Sequence, residues 1–199
     1  MPIILSPARK LMSMLLLTAL SLPAWAQWQL NNDESALYYV TNKAAAIAEV
    51  NTFTRLSGEI DSAGNATLVI DLSSVSTAIE IRDQRMQEIL FQTGQYPSAT
   101  VSNDTSMTNF ASLATGESAQ VDVNYTLSLH GMSNNLSTPV NIVKLADGKI
   151  AISSVRPIII NAGQFGLAQG VEALREVAGL PSINPNVVVT FSLVYDETM

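Results

Sequence analysis

Apolar and polar residues alternate along most of this chain, and the alternation marks strands. The clearest run is Ala119 to Leu129, where Val121, Val123, Tyr125, Leu127 and Leu129 interleave with Asp122, Asn124, Thr126 and Ser128. Successive side chains of a strand point to opposite faces, so this run predicts one buried and one wetted face. Asn186 to Tyr195 repeats the pattern, with Val187, Val189, Phe191, Leu193 and Tyr195 on one side. Ala66 to Val75 sets Leu68, Ile70 and Leu72 against Thr67, Val69 and Asp71. Ile47 to Ile60 reads as one long strand carrying Val50, Phe53, Leu56 and Ile60, and Ala36 to Asn42 as a short one. Before it, Gln27 to Asn31 presents Trp28 to solvent, and Asn32 to Ser35 reads as a polar turn. Ala99 to Asn103 begins another strand, and Leu136 to Leu145 pairs with Lys149 to Ile160.

The connections are those of hairpins. Asp61 to Asn65 and Asp147-Gly148 are turn sequences, and His130-Gly131-Met132 reverses the chain. Pro139 cannot donate to a ladder, which places it at an edge or a bulge. Thr105 to Glu117 reads as a polar loop. Two segments break the period. Ala78 to Phe91 spaces Ile81, Met86, Ile89 and Leu90 as one helical stripe, and Tyr96-Pro97 ends that region. Gly166 to Gly179 is a second short helix, with Val171, Leu174 and Val177 inward and Gly179 and Pro181 as stops. The sum is about eight strands, mostly antiparallel, and two short helices. Such a sheet closes into a β-barrel with room for one ligand, or flattens into a sandwich. A helix laid over the opening of an all-β shell suits a carrier better than a catalyst.

Composition then narrows the setting. Arg9 and Lys10 precede an apolar run from Leu11 to Leu22, and Ala24-Trp25-Ala26 is a small-x-small cleavage site. Residues 1–26 therefore read as a secretory signal peptide and 27–199 as a single domain. The apolar run is too short to span a bilayer comfortably, which takes roughly 20 residues, so no stable membrane insertion is expected after cleavage. Loss of Arg9 and Lys10 would take the net charge from −7 to −9. An acidic domain without a basic cluster is a poor partner for nucleic acid or anionic lipid headgroups. The chain has no cysteine. A Cys-free exported domain of this size fits a Gram-negative periplasm, with release to the medium as the alternative. A homodimer is left open.

Catalytic chemistry finds little support. His130 is the single histidine, and zinc or copper sites usually take several His or Cys ligands. It reads as a turn residue with its ring bonding a nearby carbonyl. There is no Gly-x-Ser-x-Gly elbow. Asp33-Glu34 and Asp196-Glu197 lie near the ends, and Glu172 and Glu176 lie one turn apart on a wetted helix face. Arg82 opens the first helix. It pairs with Asp83 or reaches Asp71, either to anchor the helix or to hold a ligand headgroup at a pocket mouth.

The order of motifs resembles the YceI-like family of bacterial periplasmic proteins. The resemblance runs from Trp28-Gln29-Leu30 and Ser35, through Phe53 and Gly58, to the segment DLSSVSTAIEIRDQRMQEILF at Asp71 to Phe91. QYPSATV, VNYTLSLHGMSNNLSTPVNI and NAGQFGL continue it in order. Met86, Val101, Asn124 and Ala162-Gly163 depart from the family's preferred residues. The resemblance implies an extended, lipocalin-like antiparallel barrel that encloses a long apolar ligand, such as a polyisoprenoid, an isoprenoid quinone or a fatty-acid derivative. It implies a non-enzymatic carrier, with no cofactor other than a bound isoprenoid lipid or quinone. The residues expected to face the ligand are Phe53, Leu68, Ile70, Arg82, Met86, Ile89, Phe91, Tyr125, Leu127, Phe165 and Phe191. The rival reading is a periplasmic stress or protein-interaction module whose barrel core is filled.

Overall fold

A computed structural model describes residues 26–103 and 112–198 of the chain. The predicted signal peptide, apart from Ala26, and most of the polar loop before Glu117 lie outside the described residues. The first strand, β1 (Ala26–Lys43), pairs antiparallel with the last strand, β11 (Asn186–Glu197), and this contact closes the sheet. Between them run β2 (Ile47–Phe53), β3 (Leu56–Asp61), β4 (Ala66–Asp71), β5 (Val75–Ser76) and β6 (Ser98–Asn103). They are followed by β7 (Ser118–Leu129), β8 (Met132–Lys144), β9 (Ile150–Ser154) and β10 (Ile158–Asn161). The ring β1-β3-β4-β6-β7-β8-β9-β11 is an eight-stranded antiparallel barrel. The closure rules out the sandwich.

The remaining strands extend the wall at one end. β2 continues the path of β3 along the same edge of β1, and β10 continues that of β9 along β11. The predicted single strand from Ile47 to Ile60 is therefore two. Phe53 and Leu56 both turn toward the core, and residues three apart share a face only if the strand breaks between them. Thr54-Arg55 is that break. β1 slips in register between Asn31 and Ala36, so the expected polar turn at Asn32 to Ser35 is a bulge within a longer strand. Val50, carried in the predicted strand, is 67% exposed.

Trp28 is not exposed, contrary to the sequence reading. It is 2% exposed, its Nε1 donates to the Gly148 carbonyl at 3.0 Å, and the Lys144 ammonium lies 5.3 Å from its ring centroid. Its partners come from β3, β8 and the β8–β9 turn, more than thirty residues away in sequence. Ile60 and Ile150 are 0% exposed and fill the same end of the barrel. Gly58 is required by β4: a Cβ there would sit 2.3 Å from the Thr67 carbonyl oxygen.

The helices cover the other end. α1 (Glu80–Arg85) runs on into a π-helical turn, Met86–Phe91, and α2 (Ala168–Val177) precedes β11. Gly170 lets the two meet, since a Cβ on it would lie 3.1 Å from both the Ile89 carbonyl and the Leu90 Cα. Val177, expected inward, is 49% exposed at the end of α2.

Candidate functional site

Beneath the helices the barrel is hollow. A cavity of about 520 Å³ runs down the interior. β11 lines it with Val187, Val189, Phe191, Leu193 and Tyr195, all the inward positions of its alternation. β7 contributes Val123, Tyr125, Leu127 and Leu129, and β4 contributes Leu68 and Ile70. Strand periodicity builds this wall: each residue faces in because its neighbours face out. The 3₁₀ turn after β10 adds Phe165, which is fully buried. Tyr39, Phe53 and Phe91 form an aromatic row under the lid, with ring centroids 5.4 Å and 5.8 Å apart. Offset and tilted rings at such distances attract one another. The Tyr39 hydroxyl points to the Met86 sulfur at 3.9 Å. Burial raises its pKa well above the usual phenol range, with Asp83 adding to the shift and Arg82 opposing it.

Of the eleven residues singled out in the sequence, ten line this cavity: Phe53, Leu68, Ile70, Arg82, Met86, Phe91, Tyr125, Leu127, Phe165 and Phe191. Ile89 does not. The π turn winds wider than an α-helix, so the stripe changes phase after Met86. Met86 and Phe91, five apart, are both buried, and of the two adjacent stripe members Leu90 lines the cavity while Ile89 does not. Tyr39, Leu90, Thr138 and Ile152 also line the cavity, and the sequence reading had not assigned them to the site. The five-residue spacing of Met86 and Phe91 was the available signal for the phase change.

Arg82 bonds neither Asp83 nor Asp71. Its Nη1 donates to Glu49 at 2.7 Å and its Nη2 to the Thr77 carbonyl at 2.6 Å. Lys43 reaches the same Glu49 carboxylate at 2.9 Å. Burial works to raise the Glu49 pKa, but the hydrogen bonds and charges of Lys43 and Arg82 prevail and hold it below its ordinary value. Asp83 instead accepts from the amide and hydroxyl of Thr77, and Asp71 pairs with Arg55 at 2.9 Å. These bonds pin the start of α1 to the rim of the barrel. Beside this anchor Ile79 and Ile81 line the cavity yet are 48% and 54% exposed, so the mouth opens to solvent there.

His130 sits in the β7–β8 turn at φ 53°. Its ring packs on Tyr96 at 4.3 Å between centroids, rather than bonding a carbonyl, and Nε2 has no hydrogen-bond partner. Among the described residues no three His, Cys, Asp or Glu side chains converge on a point that could hold a metal. Arg175 bonds Glu172 on the exposed face of α2 at 2.6 Å. Among the described residues no helix is long and apolar enough to cross a membrane.

An eight-stranded barrel with a lidded apolar interior is the architecture of the lipocalin-like binding folds. The chain belongs to the YceI-like domain family, whose profile matches residues 28–195. It is similar to a solved polyisoprenoid binding domain from Saccharophagus degradans implicated in plant cell wall breakdown. That structure is 38% identical over 87% of this chain and 100% of its own, with a TM-score of 0.85. It shares its fold with Burkholderia cenocepacia BcnA at 16% identity, over 83% of this chain and 98% of that one, with a TM-score of 0.65. A Campylobacter jejuni YCEI protein matches at 18% identity over 75% of this chain and 85% of its own, TM-score 0.54. A comparison with curated proteins gives no match.

Proposed function

We propose that this protein is a carrier that holds a long apolar chain, a polyisoprenoid or an isoprenoid quinone, inside its barrel, and that it works in the periplasm. The observation that carries the reading is the apolar cavity of about 520 Å³, plugged at one end and roofed by helices with an open rim at the other. Its apolar lining suits a hydrocarbon. Each buried methylene contributes about 0.8 kcal/mol, so a long isoprenoid binds without a strong polar contact. The similarity to a polyisoprenoid binding domain at 38% identity supports the ligand class. Family membership and that neighbour's binding role support a binding protein rather than an enzyme. The signal-like N-terminal segment supports the compartment.

Titration of lipid-free protein with a long-chain polyprenol tests the reading. Ligand that binds the folded state alone raises the melting temperature with concentration. The expected result is a saturable, concentration-dependent rise. A melting temperature indifferent to the polyprenol and to isoprenoid quinone would remove the reading.

A further inference from the structure

The barrel wall is incomplete at one place. β9 pairs with β8 as far as Val140–Ser154, and the Val155 amide then donates to the Pro139 carbonyl at 3.1 Å. That bond turns the backbone of Pro139 toward β9, where a proline has no N–H to offer. The chain then leaves through Arg156-Pro157, and β10 attaches to β11 instead. Among the described residues no backbone hydrogen bond crosses from residues 132–138 to β10. Backbone polar groups alternate sides along an antiparallel strand, so Ser137, two residues before Pro139, turns its N–H and C=O into the gap.

A second cavity of about 290 Å³ fills this gap. Tyr125, Thr138 and Ile158 line both cavities, so the two adjoin through the wall. Thr138 is 4% exposed, and its Oγ1 has no hydrogen-bond partner. Several other polar groups of the main cavity are engaged; Arg82 Nε also lacks a partner, but it sits at the rim on a guanidinium already bonded to Glu49 and Thr77. Thr41 accepts from Asn51, Asn103 bonds the backbone at Gly64 and Ala66, and Lys43 and Arg82 both donate to Glu49. A buried hydroxyl left unmade is costly, and a ligand oxygen placed beside it removes that cost.

Resting on the carrier reading, the geometry points to the β8–β10 gap as the seat of the ligand's polar end. That end is an uncharged, oxygen-bearing lipid terminus, an alcohol or a carbonyl. It pairs with Thr138 Oγ1 and with the open backbone edge at Ser137, while the tail lies in the main cavity. The charged residue of the second cavity, Arg156, is exposed and meets the gap from the water side. A buried hydroxyl satisfies a neutral oxygen, whereas an anion drawn to its depth would lose far more solvation than it returns.

The test uses the folded, lipid-free protein and two probes of equal chain length, a polyprenol and the corresponding hydrocarbon. Thr138→Val removes the hydroxyl and keeps the shape, and Thr138→Ser keeps the hydroxyl. Thr138→Val is expected to weaken polyprenol binding about tenfold, as the loss of one hydrogen bond does, with hydrocarbon binding unchanged and Thr138→Ser close to wild type. Equal polyprenol affinity in wild type and Thr138→Val overturns the assignment and leaves the carrier reading standing, as does an equal loss for both probes. A wild-type preference for polyprenyl phosphate that Arg156→Gln abolishes overturns the uncharged terminus. Failure of the wild type to take up either probe overturns the carrier reading and this assignment with it.

Discussion

Ile150 and Leu127 are both buried, at 0% and 8% exposure, but they have different surroundings. Ile150 packs on all sides at the plugged end of the barrel, whereas Leu127 turns one side to the cavity. Truncating a fully packed aliphatic removes transfer energy and contacts together, at about 2–5 kcal/mol. A residue facing a void has fewer contacts to lose. Ile150→Ala is therefore expected to fall in that range in urea denaturation of lipid-free protein, and Leu127→Ala below it. Equal costs would mean that the interior is packed rather than hollow. The inward place of Leu127 was legible in the sequence, because a period of two needs no partner to be read. The burial of Trp28 was not, because its cover comes from β3, β8 and the β8–β9 turn, which local pattern does not bring to mind.

At the scale of elements, α1 is held to the rim by Arg82 bridging Glu49 and Thr77, with Lys43 on the same carboxylate. Glu49 titrates below its ordinary value of 4.5 in the folded protein. A carboxyl with a lowered pKa contributes stability that is present above the ordinary value and is lost as pH falls through the lowered one. The lid is thus expected to loosen in acid. Amide hydrogen exchange in α1 should quicken as pH drops below 4.5, relative to the intrinsic rate, and Glu49→Gln should show the faster exchange at neutral pH with little further response to acid. A wild-type lid whose protection is insensitive to acid, or a Glu49→Gln lid as protected as wild type, would contradict this role.

Element type was largely legible, and continuity was not. The hairpin at Asp147-Gly148 declared itself, and both residues take the positive φ that such a turn requires, at 58° and 76°. The break at Thr54-Arg55 has no proline or glycine to announce it, whereas Pro157 was a local signal for the break at Arg156-Pro157 that the reading of one strand from Lys149 to Ile160 passed over. The π turn had a similar effect on the candidate site. It left the apolar stripe of the first helix intact as a pattern and turned one of its members, Ile89, away from the cavity that Ile81, Met86 and Leu90 line. Thr138 escaped notice because a threonine in a strand is ordinary until its hydroxyl is found buried without a partner.

At the scale of the whole molecule, the barrel does two things that compete. Folding favours a filled interior, since voids forfeit packing contacts. A carrier needs the interior empty until its ligand arrives. This fold separates the two, with packed isoleucines and Trp28 at the plugged end and the hollow toward the helices. Ligand then completes the core, which couples binding to stability. The most direct measurement of the central claim is native mass spectrometry of the protein purified without denaturation from its producing cells. The account predicts a discrete surplus mass on the folded protein, released on unfolding and identified as a lipid with a long isoprenoid chain. Protein that appears at its bare mass in repeated preparations, and stays so after exposure to isoprenoid lipid, would contradict it.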